Sequence, residues 1–140
     1  MSRGLFGGRR PSGPRSHRAY AIGDVHGRLD SLQALLGKIE DDVRKRPTKR
    51  TSLIFLGDLI DRGPDSAGVI EALLSFRPSF AKPMFLMGNH EEVMLRVLKG
   101  DTSLLGQWLT FGGAECVRSY GVDPRALGKM APDEAIALLR

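Results

Sequence analysis

Three short polar clusters each follow a run of apolar residues and open on a glycine. The first is Gly23-Asp24-Val25-His26-Gly27 and the second Gly57-Asp58-Leu59-Ile60-Asp61-Arg62-Gly63; the third is Gly88-Asn89-His90-Glu91. Carboxylate, imidazole and amide oxygen together suit borderline divalent ions such as Mn²⁺, Fe²⁺ or Zn²⁺ better than calcium. Two such ions about 3.5–4 Å apart fit phosphoryl chemistry, because they hold a phosphate and an activated water in line. One carboxylate must then bridge them, and Asp58 on the middle cluster is the natural candidate. Singly the clusters say little: a Gly-Asp after a strand is often a turn, and an Asn-His often caps a helix. Three of them in order, each between an apolar run and a helical stretch, are not explained as turns and caps.

Asp24, His26, Asp58, Asn89 and His90 span 67 positions, so the fold has to bring them together. Parallel strands do this when their carboxyl ends open onto one crevice. Ala19–Ile22, Thr51–Leu56 and Pro83–Met87 read as those strands, the second apolar enough to be covered on both faces. Leu29–Arg46 reads as a helix, with Leu32, Leu35, Leu36, Ile39 and Val43 at helical spacing and Pro47 as its stop. A second helix starts at Pro64 and runs through Ala72, Leu73, Leu74 and Phe76; a third spans Glu91–Lys99 before Gly100. Shorter helices follow at Leu104–Phe111, Glu115–Tyr120 and Pro132–Leu139. The pattern is α/β, a βαβαβ core followed by short helices. The methionines and phenylalanines fall on apolar faces and are expected in the core.

Composition narrows the class. The 140 residues suit one domain, and no uncharged apolar stretch of ~18 residues marks a membrane span. The arginine-bearing N-terminus lacks the apolar segment of a secretory signal. With a single cysteine, Cys116, no internal disulfide is possible, and a cytoplasmic setting is the simplest expectation; Cys116 reads as a packed thiol. The formal net charge of +5 resides in Arg3, Arg9, Arg10, Arg15 and Arg18. Residues 1–17 are therefore expected to be a disordered basic leader, with His17 inside it and not a ligand, and residues 18–140 the domain. Arg44, Lys45 and Arg46, with Lys49 and Arg50, complement a helix C-terminus. Neither basic group is a specific nucleic-acid signal.

The order GDxHG, GDxxDRG, GNHE resembles the signature of calcineurin-like metallophosphoesterases, in particular the bacterial serine/threonine phosphoprotein phosphatase branch. The likeness covers Arg18 to about Gly121 and includes Trp108-Leu109-Thr110-Phe111-Gly112-Gly113 and Ser119-Tyr120-Gly121. It implies an αββα sandwich, of which this chain holds the N-terminal half, and two divalent ions, Mn²⁺ first and Fe²⁺ or Zn²⁺ otherwise. Asp24 and His26 would ligate the first ion, Asp58 would bridge, and Asn89 would ligate the second and touch a phosphate oxygen. His90 would be the acid that protonates the leaving alkoxide, Asp61 would hydrogen-bond His90, and Arg62 would clamp the phosphate. Without the resemblance, Asp61 and Arg62 could form a surface turn before a helix opened by Pro64. Glu91 is given a supporting role, as a carboxylate at a helix N-terminus.

The implied reaction is hydrolysis of phosphate monoesters by metal-activated water, on a phosphorylated protein or a small phosphomonoester. The alternatives are a diadenosine polyphosphate hydrolase and a non-catalytic phosphate-binding remnant. Symmetrical diadenosine tetraphosphatases share the scaffold but usually lack the aspartate matching Asp61 and end the third motif in Asp. Asp61 and Glu91 thus favour the protein-phosphatase-like reading. The family supplies two more histidines and an arginine from segments downstream of Ser119-Tyr120-Gly121, and no histidine follows His90. The domain is therefore expected to be C-terminally incomplete, and these 140 residues alone to bind metal poorly and to be inactive.

Overall fold

The structure is a computed structural model that describes residues 16–140. The basic leader expected over residues 1–17 lies outside the described residues except for its end. There the boundary moves: His17 is not in a leader but is the first residue of strand β1 (His17–Ile22), paired with Arg50. Parallel strands β1, β2 (Arg50–Phe55) and β3 (Pro83–Phe85) form one sheet in that order, with Ile22 beside Phe55 and Phe55 beside Phe85. Helix α1 (Leu29–Lys45) connects β1 to β2, and α2 (Ser66–Ser75) connects β2 to β3. Helices α3 (Asn89–Leu98), α4 (Thr102–Trp108), α5 (Ala114–Ser119), α6 (Pro124–Leu127) and α7 (Pro132–Leu139) follow. Short parallel strands alternating with amphipathic helices are what the apolar runs and 3.6-residue spacing dictate. No helix among the described residues is long and apolar enough to cross a membrane.

The core forms where helical stripes meet the sheet: Leu53 and Phe55 of β2 are wholly buried, with Val69, Leu73, Val97, Leu105, Trp108 and Ile136 around them. Of the α1 stripe, Leu32 and Ile39 are buried and Leu36 and Val43 half-buried, while Leu35 lies at the exposed margin. The expected sheltering of every methionine and phenylalanine does not hold. Met84 and Phe85 of β3, and Leu86 and Met87 after it, are each about half exposed or more; β3 lies at the edge of the sheet, paired among the described residues with β2 alone. Phe55 and Phe85 still stack, with ring centroids 4.8 Å apart. Beyond β3 the Leu86 amide still donates to the Phe55 carbonyl at 2.8 Å, so the backbone stays tethered up to the third cluster.

Of the helix starts that differ from expectation, two lie at the polar clusters; the others are shifts to Thr102 in α4 and to Ala114 in α5. Helix α2 begins at Ser66, not Pro64, because Asp65 caps it by accepting from the Gly68 amide at 2.7 Å. Helix α3 begins at Asn89, so the third cluster forms the helix's first turn. The basic end of α1 is occupied locally: Arg44 pairs with Asp41, Arg46 with Asp42, and Arg18 donates to the Arg46 carbonyl at 2.6 Å.

Candidate metal-binding active site

The sheet places the first two clusters side by side. The Val25 and His26 amides donate to the Asp58 carbonyl at 2.9 and 3.0 Å, and Gly27 donates to Leu59 at 2.9 Å. The third cluster approaches so closely that a Cβ on Gly88 would lie 2.1 Å from Asp58 Oδ1. Only glycine fits there, which explains the residue that opens Gly-Asn-His-Glu.

Among the described residues, the non-glycine residues with left-handed backbone are His26 (φ 45°), Asp58 (52°), Asp61 (70°) and Arg62 (65°), all of them candidate site residues. Such conformations cost on the order of 1–3 kcal/mol each and persist where surrounding structure over-determines them. Each is fixed through its own amide. His26 donates to Asp58 as above, Asp61 donates to Ser66 Oγ at 3.0 Å and Arg62 to the Gly112 carbonyl at 3.0 Å. Asp58 donates to Glu91 Oε2 at 2.8 Å. The Glu91 carboxylate also accepts from Gly88 (2.8 Å), Leu59 (2.7 Å) and Ile60 (3.3 Å). Glu91 therefore does more than favour a helix N-terminus: it joins the second cluster to the third. An ionised acceptor is well matched to several amide donors.

Asp24, His26 and Asp58 offer ligand atoms that all lie within 4.8 Å of one another. His26 Nδ1 is 2.8 Å from the Ile60 carbonyl, to which it donates, and this leaves Nε2, 3.7 Å from Asp24 Oδ2, as the ring atom able to ligate an ion. Two carboxylates and an oriented imidazole fit a borderline divalent ion. Asp58 Oδ1 also accepts from the His90 amide at 3.2 Å, which sets its carboxylate between this group and the start of α3. Asn89, His90 and Arg62 line one cleft beside it. Arg62 Nη1 is 3.3 Å from His26 Nε2, and the His26 and His90 rings meet edge to face with centroids 4.8 Å apart. The structure thus brings every expected site residue to one place.

Asp61 is wholly buried and cannot belong to a surface turn, whereas Arg62 is exposed. Asp61 Oδ2 accepts from His90 Nδ1 at 2.8 Å and from Trp108 Nε1 at 2.9 Å, so the indole helps hold the carboxylate that orients His90. The sequence reading gave Trp108 no role. Its signal was the pair Gly112-Gly113: a Cβ on Gly113 would be 2.6 Å from the Trp108 ring, and one on Gly112 would be 2.7 Å from Arg62 Cγ. Asp61 Oδ1 has no hydrogen-bond partner among the described residues.

Cys116 is buried as expected, and burial, reinforced by the nearby Asp61 charge, pushes its thiol up to about 12. At pH 8 it stays a neutral thiol. Iodoacetamide is expected to modify native Cys116 at least ~100-fold more slowly than the same cysteine in denaturant, since the thiolate is the reacting species and access is blocked. Equal labelling rates would refute a packed, inert Cys116.

The calcineurin-like phosphoesterase family model matches residues 17–133. The symmetrical bis(5'-nucleosyl)-tetraphosphatase of Cellvibrio japonicus (strain Ueda107) is 42% identical over 81 residues, covering 58% of this chain and 27% of that protein. The enzyme of the same name from Legionella pneumophila (strain Corby) is also 42% identical over 81 residues, 58% of this chain and 26% of that one. That of Dechloromonas aromatica (strain RCB) is 34% identical over 88 residues, 63% of this chain and 29% of that protein. The chain thus spans about a quarter of the length of the curated relatives it matches. They are tetraphosphatases, the class that the Asp61 and Glu91 pattern set second. With the family model covering most of its length and the Asp24, His26 and Asp58 cluster assembled at the strand ends, this chain belongs to the calcineurin-like phosphoesterase family.

Proposed function

We propose that the protein hydrolyses phosphoryl bonds at a two-metal site, with symmetrical dinucleoside tetraphosphates as its first substrate class. The carrying observation is the cluster of Asp24, His26 and Asp58 at the strand ends, with Arg62 against it. The names of the relatives supply the substrate class. Asp24, His26 and Asp58 would hold one divalent ion, and Asp58 with Asn89 a second. When bound, such ions polarise the phosphoryl group and make a water acidic enough to attack phosphorus at neutral pH. The chain's own side chains do the rest. Arg62 has a guanidinium fork that matches two phosphate oxygens. His90, held through Nδ1 by Asp61, whose carboxylate also accepts from the Trp108 indole, keeps Nε2 free to give a proton to the departing oxygen.

That last arrangement favours a second reading, hydrolysis of phosphate monoesters including phosphoproteins. An alkoxide leaving group needs a proton, whereas a nucleoside diphosphate leaves without one. The two are separated by comparing kcat/KM for diadenosine tetraphosphate and a phosphoserine peptide, using the protein at its full natural length with Mn²⁺. At least a ten-fold preference for the tetraphosphate is expected; the reverse order would replace the first reading with the second. No turnover of either with two ions bound would overturn both.

Arg62→Ala is expected to raise KM and the inhibition constant for inorganic phosphate about ten-fold or more, the usual cost of a charge-assisted contact to an anion. Unchanged phosphate inhibition would show that Arg62 does not bind the phosphoryl group.

A further inference from the structure

We infer that the cleft beside Arg62 is a nucleoside subsite, with Phe111 as its stacking platform and Gln107 as its polar contact. This deepens the tetraphosphate reading and rests on it for the identity of the occupant. The cleft has a volume of about 300 Å³, and Arg62, Asn89 and His90 line it together with Leu104, Gln107 and Phe111. That is the low end for a small-molecule site, room for one ligand moiety. Its lining combines two chemistries: the guanidinium, amide and imidazole of the phosphoryl site, and the apolar side chains of Val93, Leu104 and Phe111 with Gln107 among them.

Phe111 is 61% exposed, although it sits in the kinked turn between two helices whose other aromatic, Trp108, is buried. The turn holds Phe111 at the cleft. Gly112 takes a φ of 116°, and its carbonyl accepts the Arg62 amide at 3.0 Å. The aromatic residue is thus the immediate chain neighbour of the carbonyl that positions the Arg62 backbone. A ligand with an anionic group and an aromatic plane a few bonds apart matches this pairing, because aromatic side chains bind bases through their π-faces with little regard to sequence. The exposed Gln107 offers both a donor and an acceptor for the base edge. Trp108 is not available for stacking, since its ring is buried and its N–H is committed to Asp61.

The test measures inhibition constants of ADP and of inorganic phosphate in the Mn²⁺-loaded protein at its full natural length, with p-nitrophenyl phosphate as reporter. Wild type is expected to bind ADP more tightly than phosphate. Phe111→Ala should weaken ADP about ten-fold and leave phosphate within two-fold, Phe111→Trp should restore ADP, and Gln107→Ala should cost ADP a smaller factor. Equal weakening of ADP and phosphate in Phe111→Ala would mean that the ring only supports Arg62, and would overturn the subsite. So would no ADP preference in wild type, or loss of affinity for a phosphoserine peptide but not ADP. If diadenosine tetraphosphate is not hydrolysed yet the ADP effect of Phe111→Ala holds, the subsite stands and the substrate reading falls.

Discussion

Asp58→Asn is expected to lower metal-dependent hydrolysis by more than about 100-fold on every substrate, and to lower the bound metal with it. The magnitude follows from comparison: loss of a residue that merely orients a ligand costs ~10–100-fold, and Asp58 offers ligand atoms directly. The geometry also fixes which way the amide must turn. Asp58 Oδ1 accepts the His90 amide at 3.2 Å, so the asparagine oxygen keeps that bond. The NH₂ then replaces the other carboxylate oxygen, where it supplies an ion with neither charge nor lone pair. The fold should survive, because the strained backbone at residue 58 is held through its amide by Glu91, which the substitution does not touch. In chelator, the melting temperature of Asp58→Asn should equal or exceed that of wild type, since a carboxylate close to Asp24 has been neutralised. Added Mn²⁺ should raise the wild-type melting temperature and leave the variant's unchanged. Full metal content with near-wild-type activity would remove Asp58 from the metal site.

The parts of this site that could be read from sequence are those whose signal is local. Gly-Asp-x-His-Gly carries its ligands and its turn within five residues, and an apolar run before it marks the strand. The α/β order was legible for the same reason, since strand and helix periods are local properties. What was not legible depends on pairs far apart in the chain. Trp108 meets Asp61 across 47 positions, and Glu91 reaches Asp58 across 33; neither spacing follows from residue type. Glu91 looked like a helix-terminus carboxylate because it is one; its further task arises only when the second strand end lies beside it. The exposed Met84, Phe85 and Met87 were misplaced because apolarity shows that a residue can be buried, not that a neighbour covers it. The start of α2 was missed because Pro64 and Asp65 both suit a helix N-terminus, and the cap bond to Gly68 decides between them.

His90→Asn is expected to separate substrates by leaving group. Turnover of a phosphoserine peptide should fall ~10²–10³-fold, the range for loss of a general acid, because the serine alkoxide is a poor leaving group unless protonated. p-Nitrophenyl phosphate should lose ten-fold or less, since nitrophenolate departs without a proton. Diadenosine tetraphosphate should resemble p-nitrophenyl phosphate, because a nucleoside diphosphate is a stable anion near neutral pH. The contrast depends on the variant keeping its metal site, and the structure gives reason for that. The bond from residue 90 to Asp58 uses the backbone amide, and the side chain points instead to Asp61. Asparagine is too short to reproduce the His90 contact in place, so Asp61 Oδ2 would retain only the Trp108 indole, at 2.9 Å, in a fully buried setting. Losing one partner of a buried carboxylate costs about 1–3 kcal/mol, so a lower melting temperature is expected and does not by itself weigh on the mechanism. The discriminating quantity is the ratio of losses measured on folded, metal-loaded protein. Equal losses on phosphoserine and p-nitrophenyl phosphate, with metal content intact, would show that His90 gives no proton to the leaving group and serves only to hold the site.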